Sequence, residues 1–259
     1  MHETEPELRA AVTRLLDHHV ITACAADRHL HPFRNAIPVP LPPPAPGSRP
    51  EELADQQQAL TWLAVEHRVA VALLLRGADA GFNTSAWQLA WAMHTFLYRR
   101  GYWRELVAAW RAAIQAVESE RDPRAQALGR RHLASTYNML GRDQDAPAES
   151  RDALDLFVRA DDPVGQADTH RGFGLVYERQ GRPAQALAHC RLALGLYRAA
   201  DHRVGQGLAL NMMGWYHALL GQHAEALTYC TQALEIFQQV GDPDGEASTW
   251  DSLGYAHHH

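Results

Sequence analysis

Histidine is the residue type with the most chemistry to offer in this chain. Among 259 residues there are 16, and three groups stand out: His18-His19, His29-x-His31 and the terminal run His257-His258-His259. Imidazole binds zinc and its neighbours in the first transition row. Zinc sites, however, add Cys or carboxylate ligands at fixed spacing and hold them with a further layer of hydrogen bonds. No such set accompanies these groups, so no metal site is expected. The cysteines, Cys24, Cys190 and Cys230, are few and unpatterned. Cys190 and Cys230 are open to two readings: a disulfide between neighbouring structural units, or two small buried side chains. A reducing compartment and the tight geometry of disulfides favour the second. Ser, His and Asp all occur, but the nucleophile-elbow pattern Gly-x-Ser-x-Gly does not. The paired acids Asp161-Asp162 read as helix capping. Lysine is absent, and all 24 basic residues are arginine. That removes both the phosphate-loop lysine and Schiff-base chemistry. No catalytic residue and no cofactor is expected; the chain reads as a non-enzyme.

With no reactive centre to position, the elements themselves carry the information. Gly101, Gly141, Gly181 and Gly221 are spaced forty residues apart. A fixed period of this size means one supersecondary unit stacked repeatedly. Aligned on those glycines, the blocks are 84–126, 127–166, 167–206, 207–246 and a partial 247–259. Ala134, Gly174, Gly214 and Gly254 form a column of small residues, as do Leu106, Ala146, Ala186 and Ala226, and Ala113, Ala153, Ala193 and Ala233. Tyr137, Tyr177, His217 and His257 form a larger column, which places His257 in register. Phe157, Tyr197 and Phe237 form an aromatic one. Closely crossing helices leave no room for a large side chain at the contact, hence the small columns. Each block reads as helix, turn at the marker glycine, helix. The glycine ends the first helix because it alone reaches positive φ without strain.

The joints agree. Arg121-Asp122-Pro123, Asp161-Asp162-Pro163 and Gly241-Asp242-Pro243 put Asp, a good N-cap, before Pro, which suits the first helical position. Asp201-His202-Arg203 breaks the pattern, and a less sharply fixed helix start is expected there. Pro147 is tolerable only near the start of its helix. Before the repeats, Glu7 to Arg28 has the apolar period of an amphipathic helix, within a segment 1–36. The proline-rich stretch 37–50 reads as an extended linker, and 51–83 as a helical N-terminal cap.

The net charge of −6, with arginines spread and offset by acids, argues against a dedicated nucleic-acid surface. No stretch approaches the ~20 apolar residues that span a bilayer. The acidic N-terminus is unlike a secretory signal. A soluble cytoplasmic chain is expected, with no membrane partner.

In register, Gly174, Tyr177, Ala186 and Ala193 fall on the small and aromatic signature positions of the tetratricopeptide repeat. Trp250, Leu253 and Gly254 do so in the last block. The chain from about Thr84 onward resembles that repeat family, with a period longer than the usual ~34 residues. The resemblance implies an all-α, right-handed superhelical solenoid of helix hairpins. Leu15-Leu16-Asp17-His18-His19, Ala25-Ala26-Asp27-Arg28 and Leu60 to Arg68 resemble segments of large actinobacterial regulators. These are the antibiotic regulatory proteins and signal-transduction ATPases of the NB-ARC type, in which such repeats follow a nucleotide-binding module. That module's phosphate loop and the DNA-binding domain are missing here, so neither activity is carried over.

The repeat resemblance also implies a groove lined by the first helices. Its residues here are Leu128, Arg131, Ser135, Asn138 and Met139; Asp168, Arg171, Leu175, Glu178 and Arg179; Leu208, Asn211, Trp215, Ala218 and Leu219; and Ser248, Asp251 and Tyr255. Arg131, Asn138, Arg171, Glu178, Arg179, Asn211, Trp215, Asp251 and Tyr255 are the candidate partner-binding set. Two readings stand side by side. The arginines and Trp215 hold a peptide that is acidic at one end and apolar at the other. Or Trp215 packs on Tyr255 while the arginines pair with Asp168 and Glu178. The expected role is a protein- or peptide-interaction scaffold, the regulatory repeat region of a bacterial transcription or signalling regulator. A small-ligand or peptide-pheromone sensor using the same groove is the alternative. Expected partners are a groove ligand, the upstream domains of a parent regulator, or a second copy at an open C-terminal end.

Overall fold

The computed structural model describes residues 4–32, 34, 39–41, 43–118 and 122–258. Residues 1–3, 35–38, Pro42, Arg121 and His259, named in the segments above, lie outside the described residues. Eleven helices make up the described secondary structure: α1 (Glu5–Leu30), α2 (Gln56–Asp79), α3 (Asn83–Arg99), α4 (Trp103–Glu118), α5 (Pro123–Met139), α6 (Asp145–Arg159), α7 (Pro163–Arg179), α8 (Pro183–Ala199), α9 (Arg203–Leu219), α10 (His223–Val240) and α11 (Pro243–His258). The chain divides into two compact units, 1–129 and 130–259, with the division inside α5.

In the second unit the forty-residue period comes from the helices. α7, α8 and α9 each have 17 residues, and joints of three residues separate them. The extra length over a usual repeat is therefore spent within the helices. Gly141, Gly181 and Gly221 have φ of 72°, 68° and 74°, the left-handed conformation that makes glycine the natural residue there. The joints between hairpins use the same corner: Asp161 (φ 48°), Asp201 (φ 50°) and Gly241 (φ 70°). Pro147 lies in the first turn of α6, where its missing N–H costs nothing.

Each joint then starts a helix. Asp162 Oδ1 accepts from Gly165 N at 2.8 Å, and Asp242 Oδ1 from Gly245 N at 3.1 Å. At the joint that lacks Asp, His202 Nδ1 accepts from Gly205 N at 3.0 Å, and its ring stacks on Tyr197. The α9 start is thus capped like its neighbours. An imidazole acceptor replaces the carboxylate, so the expectation of a looser start fails.

Gly165, Gly205 and Gly245 form a further small column. A Cβ at these positions would overlap the rings of Phe157, Tyr197 and Phe237 respectively. Those three aromatics are fully buried, each contributing about 1.5–3 kcal/mol by leaving water. They fit only because the next helix begins with a glycine above them. The crossing inside a hairpin uses the other small column: a Cβ at Gly214 would overlap Cys230 Sγ, and one at Gly174 would meet Cys190 Sγ at 3.1 Å.

In the first unit, α1 packs on α2 and α3, and α3 on α4. Trp87 and Trp110 are fully buried and meet edge to face. The described part of the proline-rich segment has no regular structure but is tied along α1. Ala45 N donates to Asp17 Oδ2 at 2.8 Å, and Glu51 N to Thr22 Oγ1 at 3.0 Å. Contrary to the reading of the apolar runs, α2 is long and apolar enough to cross a membrane by length and composition. Its Leu63, Ala70 and Leu74 are fully buried in the first unit, while Val65 and Val69 are exposed.

Candidate functional site

The first helices of the second unit, α5, α7, α9 and α11, carry the predicted groove residues. The structure links these helices to one another by side chains. Arg131 Nη1 lies 3.6 Å from Asp168 Oδ2. Trp215 Nε1 donates to Glu178 Oε1 at 2.8 Å, and Tyr216 Oη to Glu178 Oε2 at 3.1 Å. Asn211 Nδ2 approaches Ser248 Oγ at 3.5 Å. Three of these pairs, 131 with 168, 178 with 215 and 211 with 248, have the same separation of 37 residues. That is one repeat less about one helical turn. Trp215 also packs on Tyr255, ring centroids 4.9 Å apart and tilted by 58°.

Arg179 is held as well. Its Nε donates to Asn138 Oδ1 at 3.2 Å, and its Nη2 to Asp143 Oδ1. Arg171 lies with Asp168 and Tyr197. The Tyr197 hydroxyl donates to Asp168 Oδ1. Burial, then the Asp168 charge, pushes that phenol above its ordinary range. Burial opposes the Arg171 charge, but Tyr197 and Asp168 more than offset this and keep the guanidinium protonated. The Nε atoms of Arg131 and Arg171 are buried with no hydrogen-bond partner among the described residues. Arg131 and Arg171 both lie by Asp168, and Arg171 and Glu178 act together on Cys190 and Tyr216.

Of the remaining predicted residues, Asp251 and Ser248 are exposed and Ser135 is half-buried. Leu208 packs half-buried against the α8–α10 core. Leu128 and Ala218 are buried; Ala218 packs with Ala226 and Ala256 where α10 and α11 meet α9. Met139, Leu175 and Leu219 are 45%, 38% and 38% exposed, one on each of α5, α7 and α9. The pairing of Trp215 with Tyr255 and of Arg131 with Asp168 is present. Glu178 takes Trp215 and Tyr216 rather than an arginine.

Cys24, Cys190 and Cys230 are free and buried. Burial pushes the Cys190 thiol up to about 12 and the Cys230 thiol to about 11. The two sulfurs fill the space beside the crossing glycines. Three histidines of the groups seen in the sequence are held by backbone carbonyls. His18 Nδ1 bonds Arg49 O at 2.6 Å, His19 Nδ1 bonds Leu15 O at 2.9 Å, and His29 Nε2 bonds Leu53 O at 2.9 Å. Among the described residues no group of three or more His, Cys, Asp or Glu is placed to hold a metal. A pair that sequence grouping missed does form: His170 on α7 and His189 on α8, with Nδ1 atoms 3.0 Å apart.

With this geometry in view, the tetratricopeptide repeat family matches residues 165–239, the stretch from α7 to α10. The chain carries a tetratricopeptide-repeat region. Around that region, the fold is an all-α helical-repeat superhelix resembling solved repeat proteins. One is BtubC (BKLC) from P. vanneervenii, with a TM-score of 0.62 and 18% identity over 76% of this chain and 83% of that one. Another is the apo form of RapI, with a TM-score of 0.57 and 14% identity over 78% of this chain and 60% of that one. No curated protein sequence matches significantly.

Proposed function

We propose that the first-helix face of the repeat region is a docking surface for a protein or peptide segment. The observation that carries this reading is the trio Met139, Leu175 and Leu219. These large apolar side chains stay exposed on successive first helices, beside polar groups already fixed by bonds between repeats. A fixed polar frame around accessible apolar anchors lowers the ordering cost of binding. The buried Nε atoms of Arg131 and Arg171, which have no hydrogen-bond partner among the described residues, support an acidic segment at that end, since arginine forks favour carboxylates. Leu219 and the Trp215 edge support an apolar segment at the other.

The test is selection from a peptide library on the purified chain, followed by titration of the selected peptide. Leu175→Asp and Leu219→Asp are expected to abolish binding with an unchanged Tm, because both side chains are already in contact with water. Arg171→Gln is expected to weaken acidic peptides selectively. Binding that survives both Asp substitutions would place the ligand elsewhere. Capture of folded domains but not of short peptides would favour a partner domain over a pheromone-type sensor. The regulator context rests on the resemblance of 60–68 and its neighbours alone. Co-purification of the chain with a nucleotide-binding module of such a regulator tests it.

A further inference from the structure

We propose that the chain pairs with a second copy of itself through one face of α11. Ala247, Trp250, Gly254 and His257 share that face by helical spacing, and all four are exposed, the Trp250 ring by 57%. In α9 the same columns hold Gly207, Leu210, Gly214 and His217, and all four are buried. α10 covers them: a Cβ at Gly207 would meet the Phe237 ring at 2.9 Å, one at Gly214 would overlap Cys230 Sγ, and His217 stacks on Tyr229. α8 does the same for α7, with Cys190 Sγ against Gly174 and His189 stacked on Tyr177. In register, then, this face of a first helix is shaped to receive another helix. On α11 a Cβ at Gly254 would meet nothing within 4 Å.

The face is complementary to itself, which selects a second copy as its occupant. A large ring, Trp250, stands one helical turn from the gap at Gly254. Let two copies of α11 lie antiparallel about a two-fold axis level with Ser252. Each indole then drops onto the glycine of the other copy, as an isologous contact requires. The missing Cβ lets the two backbones approach closely at the crossing. The same register sets Ala247 against His257 and Glu246 against His258, so the acidic first turn of each helix meets the basic last turn of the other. The 16 residues of α11 span about 24 Å. One such face is smaller than a standard interface, so the dimer is reversible and concentration-dependent. By helical spacing Ser248, Asp251 and Tyr255 lie on another side of α11, and pairing leaves the proposed peptide surface open.

The experiment is sedimentation velocity of the full chain from low micromolar to hundreds of micromolar concentration. A chelator throughout keeps the histidines from bridging copies through metal. The expected result is a monomer that becomes a dimer as concentration rises. Trp250→Glu and Gly254→Leu are each expected to raise the dimer dissociation constant at least ~tenfold. Both should leave the Tm of the dilute chain unchanged, since both positions are exposed. A monomer at every concentration overturns the proposal and leaves the face to another partner. Pairing that survives either substitution overturns it too. The register has its own check. Ala247→Cys together with His257→Cys is expected to give a disulfide-linked dimer under mild oxidation, and neither substitution alone, because each position opposes the other and not itself. If Trp250→Glu or Gly254→Leu fails to fold, this cross-link decides: no covalent dimer overturns the proposal.

Discussion

Glu178 and Trp215 are joined across a repeat boundary, indole N–H to carboxylate, at 2.8 Å. The second oxygen of Glu178 receives the Tyr216 hydroxyl, so this one carboxylate ties α7 to α9. Removing it leaves two partly buried donors unmet. Glu178→Ala is expected to lose about 1–3 kcal/mol in urea unfolding, with a change in Trp fluorescence. Glu178→Gln, which keeps an acceptor, is expected to lose less. Equal stability of Ala and wild type would show that the bridge contributes nothing.

Two glycines in one column should respond oppositely to substitution. A side chain at Gly214 collides with Cys230 Sγ and approaches the Ala226 carbonyl, whereas nothing lies within 4 Å of the Cβ position at Gly254. Gly214→Leu is expected to cost about 1–3 kcal/mol or more by overpacking. Gly254→Ala is expected to gain about 0.5–1 kcal/mol as an ordinary helix substitution. Thermal melts of the pair check the sign of each.

The joints offer a gain in stability. Asp161 and Asp201 sit at positive φ, which costs an L residue energy that glycine does not pay. Asp161→Gly and Asp201→Gly are expected to leave the fold intact and raise stability by up to ~1 kcal/mol. At the same joint, His202→Ala is expected to lose ~1 kcal/mol with the cap, and His202→Asp to retain it.

Acid should weaken the α7–α8 hairpin. The folded-state pKa of His170 is depressed from 6.5 to about 4, by burial first and then by the neighbouring His189. His189 is depressed by burial. Between those values the unfolded chain binds protons that the folded chain does not. The contribution of the pair is thus complete above pH 6.5 and is lost as pH falls toward 4. Urea midpoints measured across that window should fall, and the slope should flatten in His170→Gln.

The cysteines should be silent until the chain unfolds. Thiols at about 12 (Cys24 and Cys190) and about 11 (Cys230) hold almost no thiolate at pH 8. Ellman's reagent is expected to react slowly in buffer and with all three thiols in denaturant. Rapid native reaction at any of them would contradict its burial.

The repeat was readable because backbone geometry demands particular residues. Left-handed corners demand Gly141, Gly181 and Gly221, and close crossings demand Gly174 and Gly214. These demands recur at a strict forty, so columns expose them. The column at Gly165, Gly205 and Gly245 went unread, although its spacing is the same. Its reason lies in the aromatic of the preceding helix, eight residues back, and no single column shows that coupling. The face-lining bonds were harder still. Arg131 with Asp168, and Glu178 with Trp215, are offset by a helical turn from the repeat period, so alignment in register separates the partners. His170 and His189 meet across a hairpin turn, 19 residues apart, where no local sequence pattern pairs them.

The left-handed corners hold a further consequence. Residues 141, 161, 181, 201, 221 and 241 all take this conformation, so the turn within a hairpin and the turn between hairpins are the same part. The array has no privileged starting point, and second helix followed by first is as complete a module as the reverse. Excising residues 181–220 joins Gln180 to Gly221 and sets one left-handed glycine where another stood. A chain built this way can lengthen or shorten by duplication at any of its corners without inventing a new bend.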